Sequence, residues 1–225
     1  PLGPVIGPIV AQVALKVVAK GIEYFSKKLS IIGKEENTEE VGYRVEEAQQ
    51  HEDWAKQEEF PSFEEYYAYI KEQIPDKEID YAKLKENRDR YMVLGTMALT
   101  KGLEEHMDIA LPKEFLFEIG RSRMEGPEIQ AVVEAFKTLG YESVNLTGYL
   151  KGKLPREESK QIEDALLTNM KKYYPDRDED ALHERLGTMR EASRDDKKLE
   201  SVYKDKLTKE NLEKIAANPK SIEDL

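Results

Sequence analysis

The chain has 225 residues, with 46 acidic and 35 basic side chains and a net charge of -11 at pH 7. This length suffices for one large helical domain or two small ones, each with a workable core. The net charge argues against nucleic acid as a partner for the whole chain, because a phosphate backbone would repel it. The absence of cysteine excludes disulfides, thiolate-bound zinc and thiol nucleophiles. It leaves the compartment open between the cytoplasm and secretion without disulfides.

Helix-forming residues dominate the sequence, and Gly and Pro fall mostly between periodic apolar segments. This pattern predicts an all-α fold, a multi-helix bundle that opens with a long apolar helix over about residues 8–32. We expect three parts: a basic, highly apolar N-terminal helix (1–33), an acidic connecting segment (34–59) and a helical body (60–225). The acidic segment holds ten acids against three bases.

The first 33 residues join an uncharged start to a row of lysines. Residues 1–15 carry no charge, and residues 16–33 hold four lysines against Glu23, so residues 1–33 have a net charge of +3. The rest of the chain therefore has a net charge of -14, and the two parts together give the total of -11. On a helical period Gln12, Lys16, Lys20, Glu23 and Lys27 form one narrow polar stripe, and apolar residues cover nearly all the remaining circumference.

An apolar surface this wide must be covered, and three hypotheses describe what covers it. The segment could be the central helix of the core, dock on a protein partner, or lie in a membrane interface. It falls short of the roughly 18 to 20 uninterrupted apolar residues of a spanning helix. The predicted docking residues are Ile6, Ile9, Val10, Val13, Leu15, Val17, Val18, Ile22 and Phe25, with the lysines Lys16, Lys20, Lys27 and Lys28.

Capping signals mark several of the later helices. Pro75 must end one helix, and Gly140 is expected to cap another. The predicted long helices cover about 79–107, 156–174, 178–192 and 209–217. Two residue pairs have the spacing of a capping box: Asn37 with Glu40, and Ser62 with Glu65.

Two pairs of short segments suggest an internal repeat. The interval from Pro75 to Leu94, where the first LGTM begins, is 19 residues. The interval from Pro175 to Leu186, where the second begins, is 11 residues, a difference of about two helical turns. A true repeat would give two related helix-turn-helix halves, at about 60–107 and 156–200, whereas chance in a Lys/Glu/Asp-rich sequence would give no such symmetry. The matching segments are IKEQIPDKEID at 70–80 with MKKYYPDRDED at 170–180, and LGTM at 94–97 with LGTM at 186–189.

The sequence contains no recognisable catalytic or metal-binding motif. The three histidines, His51, His106 and His183, lack the paired Glu-x-x-His spacing of a di-iron bundle. The acidic run at 176–180 lacks the Gly and Glu that an EF-hand calcium loop requires. We therefore expect no metal and no cofactor, and we assign no catalytic residue.

Two further groups of residues are candidates for recognition. Arg121 and Arg123, in GRSRMEG, fall near predicted helix ends, where they could bind a phosphate or a carboxylate. Tyr66 and Tyr67 are neighbours on one predicted helix, so we expect at least one of them at an edge or an interface. The predicted aromatic recognition surface comprises Trp54, Tyr66, Tyr67 and Tyr69.

The leading hypothesis is a non-enzymatic helical interaction protein whose N-terminal helix docks on a membrane or a protein partner. Toxin-like effectors, pore-forming proteins and secretion or virion components have this plan. An alternative is an acidic inhibitor or immunity-like module for a basic protein partner, with the first helix in the core. A second alternative is a hydrolase whose histidine and carboxylate site forms only in three dimensions. Self-association into a homo-oligomer is compatible with the first two.

Overall fold

The computed structural model describes residues 12–194. Within this range ten α-helices form a bundle without a regular β-strand, which confirms the all-α prediction. Two short 3-10 turns, Gln57–Glu59 and Asp76–Glu78, connect helices. The helices are α1 (Gln12–Lys28), α2 (Thr38–Gln50), α3 (Phe63–Gln73), α4 (Tyr81–Glu86), α5 (Arg88–Met107), α6 (Lys113–Ser122), α7 (Gly126–Thr138), α8 (Leu146–Leu150), α9 (Arg156–Tyr173) and α10 (Glu179–Arg194).

Helix α1 packs at the centre of this bundle. It contacts α2, α5, α6 and α7, and the side chains of Ile22 and Phe25 have no exposed surface. Gly21 lies against α7, where an added Cβ atom would overlap the Ile129 side chain. The wide apolar surface of this helix is thus covered by other helices of the same chain from Leu15 onward.

The predicted end of α1 near residue 32 is wrong, because the helix ends at Lys28. Ser30 takes a left-handed conformation with a φ of 61°, and the backbone N–H of Ile31 donates to the Ser26 carbonyl at 2.9 Å. This is the hydrogen bond of a Schellman motif, which closes a helix and reverses the chain. The turn returns Ile31 and Ile32 to the core. The predicted helix start at about residue 8 lies outside the described residues.

Helices α2 and α5 cross with their backbones in direct contact at Gly42 and Gly95. A Cβ atom added at Gly42 would overlap the Tyr91 carbonyl, and one added at Gly95 would overlap the Thr38 carbonyl. Only glycine permits this approach, because any side chain would enter the opposite backbone. The crossing shows that the central part of the acidic segment 34–59 is a helix packed against α5.

The capping predictions and the helix ends can be compared directly with the structure. Asn37 and Glu40 form the predicted capping box of α2, and Ser62 accepts a hydrogen bond from the backbone N–H of Glu65. Gly140, with a φ of 79°, follows α7 as expected. The predicted single helix over 79–107 is wrong, because Asn87 leaves the helical conformation between α4 and α5. Its side-chain amide donates to the Lys83 carbonyl, and this local bond competes with a continuous helix.

The C-terminal half completes the same hydrophobic core. Helix α7 packs against α1 and α9, and α10 packs against α6, α8 and α9. A single apolar cluster extends from Val18 in α1 to Met189 in α10. The predicted helix over 209–217 lies outside the described residues.

The two LGTM segments lie in α5 and α10, and only α10 directly follows a proline turn. The two segments also face different surroundings. In α5, Gly95 and Thr96 are buried in the crossing with α2. In α10, Leu186 and Met189 are buried instead, and Gly187 faces open space. Matching residues of the two LGTM segments therefore have different surroundings, and the internal repeat stays a prediction.

A buried arginine joins α2 to the turn after α3. Arg44 has no exposed surface, and its Nε donates to the Ile74 carbonyl at 2.8 Å. One terminal nitrogen donates to Glu36 at 3.0 Å and to the Tyr67 hydroxyl at 3.1 Å, and the other pairs with Asp76. A guanidinium has five N–H donors, and few positions in a core offer acceptors for so many. The network therefore fixes α2, α3 and the turn after α3 relative to one another.

Glu36 is the anion that balances this buried charge. Burial alone would raise the pKa of Glu36, but hydrogen bonds from Lys71, Tyr67 and the Gly33 N–H outweigh burial and hold the pKa below its ordinary value. Lys71 and the Gly33 N–H bind one carboxylate oxygen, at 2.8 and 2.7 Å. The carboxylate therefore stays ionised inside the protein.

The helix crossing predicts opposite effects for two glycines of the same LGTM motif. We expect Gly95→Ala to destabilise the protein by at least about 2 kcal/mol, because the new methyl group enters the α2 backbone. Gly187→Ala should stabilise it by about 0.5 to 1 kcal/mol, because alanine favours a helix and the site is open. Chemical denaturation followed by circular dichroism measures both, and equal effects would contradict the crossing.

The arginine network predicts a large loss for Arg44→Met, which leaves the Glu36 carboxylate buried without its cation. We expect about 3 to 5 kcal/mol of lost unfolding free energy, and partial recovery in the double variant Arg44→Met, Glu36→Gln. Arg88→Met is the matched control, since Arg88 pairs with Glu39 but is mostly exposed and should cost less than about 1 kcal/mol. Similar losses for Arg44→Met and Arg88→Met would contradict the role of the network.

Candidate functional site

The side chains of the predicted apolar docking residues can be located in the structure from Leu15 onward. Val18, Ile22 and Phe25 are buried in the main core, and Val17 is partly buried against it. Leu15 belongs to a small separate cluster with Ala19 and Met92. Ile6, Ile9 and Val10 lie outside the described residues, and Val13 falls in the first turn of α1.

The lysines of the same segment lie at or near the surface. Lys20 and Lys28 are exposed, and Lys28 lies over the Tyr24 ring at 5.4 Å from its centroid. Lys16 is partly buried, and Lys27 forms an ion pair with Glu23 at 2.7 Å. The predicted separation of a lysine stripe from the apolar surface is therefore present in the described part of α1.

Only part of the predicted aromatic surface is accessible. Trp54 is half-buried and stacks on His51 with ring centroids 3.9 Å apart, and Tyr69 is half-buried and accepts a hydrogen bond from the Ala55 N–H. Tyr66 and Tyr67 are both buried, so the expectation that one of them lies at an edge is wrong.

The loop that precedes α3 explains why both tyrosines are buried. The Phe60 ring centroid lies 5.5 Å from that of Tyr66 and 5.2 Å from that of Tyr69, so the loop covers this side of α3. Tyr67 lies on the other side, where its hydroxyl donates to Glu36 at 2.7 Å. Two neighbouring tyrosines can therefore both be buried, because each meets a different element.

The three histidines are exposed and lie beside surface groups. His51 stacks on Trp54, and His106 lies 3.6 Å from Glu64. His183 lies 3.4 Å from Glu163 on α9. Among residues 12–194 no group of three or more His, Asp or Glu side chains is arranged to hold a metal ion. The hydrolase alternative remains without assigned residues.

A groove of about 390 Å³ lies where α6 ends and α7 begins, beside α10. We call it the arginine groove. Its charged lining residues are Arg121, Arg123, Arg177, Arg185, Glu125 and Glu128. Four guanidinium groups against two carboxylates give this surface a positive charge on a protein of net charge -11.

The turn between α6 and α7 shapes the floor of the arginine groove. Arg123 has a left-handed φ of 47°, and the backbone N–H of the following Met124 donates to the Ile119 carbonyl at 3.0 Å. Glu125 then caps α7, and its own N–H donates to the Glu128 carboxylate at 3.0 Å. This turn exposes the Arg123 side chain while it buries Met124.

Arg185 of α10 fixes this turn to the rest of the bundle. Its guanidinium binds the buried Glu128 carboxylate through two nitrogens, at 2.6 and 2.8 Å, and it also donates to the Ser122 carbonyl at 2.9 Å. The hydrogen bond to Glu128 raises the pKa of Arg185, with burial acting in the opposite direction. Arg185 thus has a structural role, and its charge is balanced within the fold.

The other arginines of the groove differ in their contacts. Arg177 stacks on the Tyr174 ring, 4.1 Å from its centroid, and the Tyr174 hydroxyl donates to Glu125 at 3.0 Å. Arg121 lies 3.8 Å from Glu118. Arg123 is exposed and has no carboxylate partner among the residues that the structure describes. Among the described residues, no carboxylate therefore neutralises the charge of Arg123.

The sequence pattern indicated two of the four arginines of this groove. Arg121 and Arg123 stood out because of their predicted positions at helix ends, as the structure shows. Arg177 and Arg185 were missed, since each is more than 50 residues away along the chain. Arg177 lies within the acidic run at 176–180, which does not by itself indicate a cationic site.

No protein-family model matches this chain, and no curated protein or solved structure is significantly similar to it. Among the described helices, none has the length and apolar character needed to cross a membrane.

The buried tyrosines predict a sharp alkaline transition. Burial raises the pKa of Tyr66, Tyr67, Tyr91 and Tyr149 above the ordinary value. The neutral hydroxyls are thus favoured by the folded state, so stability is fully present below about pH 10 and is lost as the pH rises further. We expect phenolate absorbance at these tyrosines to appear together with loss of helicity. Their gradual titration in a protein that keeps its helicity would contradict this burial.

Proposed function

We propose that this chain is a non-enzymatic helical interaction protein that docks on a membrane surface through its N-terminal segment, residues 1–15. The observation that supports the proposal is the gradient of burial along α1. Ile22 and Phe25 are completely buried, whereas Leu15 near the start belongs to a small cluster apart from the main core. The helix is thus anchored at one end and joined at the other to an uncharged apolar sequence.

The composition of this end suits a membrane interface. Residues 1–15 contain Ile6, Ile9 and Val10 and no charged side chain, and Lys16 and Lys20 follow directly. An apolar segment beside lysines is typical of helices that lie at the boundary between headgroups and acyl chains. Insertion of apolar side chains would supply the affinity, and the lysines would lie near the headgroups.

The same burial also favours a second candidate, the acidic inhibitor or immunity-like module that binds a basic protein partner. In that case α1 serves only as the central helix of the core, and the acidic surface makes the contact. The exposed acids around the half-buried Trp54 and Tyr69, such as Glu58 and Glu65, would provide such a surface. Acidic patches with partly exposed aromatic residues are suited to protein recognition.

Vesicle sedimentation with and without residues 1–11 tests the membrane proposal. This truncation removes the uncharged start but keeps the buried side chains from Leu15 to Phe25, so the shortened protein should stay folded. We expect the full chain to sediment with vesicles of phosphatidylcholine and phosphatidylglycerol, and the truncated chain to remain in the supernatant. Circular dichroism melting checks that both are folded.

A matched pair of point variants separates apolar insertion from charge. Val10→Asp places a charge in the apolar surface and should abolish sedimentation with vesicles. Gln12→Asp adds the same charge to the predicted polar stripe and should leave most binding intact. Absence of vesicle binding by the full chain, or equal binding by the truncated chain, would overturn the membrane proposal. The first of these outcomes would leave the protein-binding candidate.

A further inference from the structure

We propose that the arginine groove is a binding site for a small ligand that carries a phosphate monoester group. The inference goes beyond the proposed function and depends on other residues than the N-terminal segment. Three separate elements bring cationic side chains to one concavity: the α6 end supplies Arg121 and Arg123, the α9–α10 connection supplies Arg177, and α10 supplies Arg185. The volume of about 390 Å³ lies in the range of small-molecule sites.

The guanidinium groups are prepared for an oxyanion in different ways. Arg185 is committed to Glu128 and holds the turn, so it orients the site rather than binding the ligand. Arg177 lies over the Tyr174 ring, and this contact limits its freedom before any ligand arrives. Arg123 is presented to solvent by its left-handed backbone conformation. Arginines that are already oriented lose less entropy when they bind, so they are effective ligands for a planar or tetrahedral anion.

Several features favour phosphate over a carboxylate. A carboxylate is satisfied by one bidentate guanidinium, whereas a phosphate monoester offers three terminal oxygens and up to two charges. Arg123 at the α6 end and Arg177 in the α9–α10 connection approach from two elements, which matches the second geometry. Ser122 and Thr188 also line the groove, and hydroxyls are common neutral partners of phosphate oxygens. The Ser122 hydroxyl is buried and has no hydrogen-bond partner in the described structure.

The site also has a limit on what it can hold. Glu125 and Glu128 belong to the lining, and Glu125 is exposed. A long polyanion would meet these carboxylates and the acidic surface of the remaining chain, whose negative charge outweighs the positive groove in the total of -11. A single phosphate group on a small neutral body avoids this repulsion. The ligand is therefore a small molecule rather than a nucleic acid or an anionic membrane surface.

Calorimetric titration of the full chain with inorganic phosphate and with glycerol phosphate tests the proposal. We expect saturable binding of both at constant ionic strength, with acetate bound at least about tenfold more weakly. Arg123→Gln and Arg177→Gln should each lower the phosphate affinity at least about tenfold, because each removes a charge-assisted contact. Arg156→Gln is the matched control, an exposed arginine at the start of α9 outside the groove, and should change affinity less than about twofold.

A second measurement locates the binding. Amide resonances of the turn from Ser122 to Gly126 should shift during the phosphate titration, and those of α3 should not. No saturable binding of either phosphate compound up to about 10 mM would overturn the proposal. Equal affinity for acetate, or equal loss in Arg156→Gln, would also overturn it. Vesicle binding that depends on phosphatidic acid and on Arg123, without glycerol phosphate binding, would replace the small ligand by a lipid headgroup. Since the groove variants leave residues 1–11 unchanged, this inference and the membrane proposal can fail separately.

Discussion

The burial of α1 is the constraint on which the rest of the fold depends. A helix that is apolar over most of its circumference cannot lie on a surface, and here α2, α5, α6 and α7 surround it. Full burial of a side chain such as Ile22 or Phe25 is worth about 1.5 to 3 kcal/mol relative to exposure, so the packed position is strongly preferred. Gly21 allows α7 to approach closely enough to cover the helix. Release of the part from Val18 onward would dismantle the core, and only the sequence before it can serve another purpose at low cost.

Electrostatic pairing explains how so acidic a chain packs its helices. Four acids of α2 and of the turn before it each pair with a cation on α2 itself or on another element. Their partners are Arg44 and Lys71 for Glu36, Arg88 for Glu39, Arg90 for Glu46 and Lys83 for Glu47. The exposed pairs contribute little each, whereas the buried pair of Glu36 and Arg44 cannot be broken cheaply. The acidic composition is thus partly internal structure, and the surface is less uniformly acidic than a count of charges suggests.

The fold class and most helix ends could be predicted, because they depend on local chemistry. Caps at Asn37 and Gly140 follow from short-range hydrogen bonds and from permitted backbone angles. The break at Asn87 and the early end of α1 at Lys28 were missed, because asparagine and serine are tolerated inside helices and only their observed conformations reveal the turn. Periodicity also failed for Tyr66 and Tyr67, since it assumes a single buried face and takes no account of the loop with Phe60.

The candidate sites differ in the same way. The residues of the N-terminal segment are contiguous, so their composition alone draws attention to them. The arginine groove unites arginines from 121 to 185, and a sequence with 35 basic side chains offers no reason to group Arg177 and Arg185 with Arg121 and Arg123. The interaction that selects them is the bond between Arg185 and Glu128, which brings α10 against the turn after α6. At physiological ionic strength charges act over a Debye length of about 8 Å, so local cations govern anion binding there even on a protein of net charge -11. The fold can thus present a positive site on an acidic protein, because helix packing places the basic residues together.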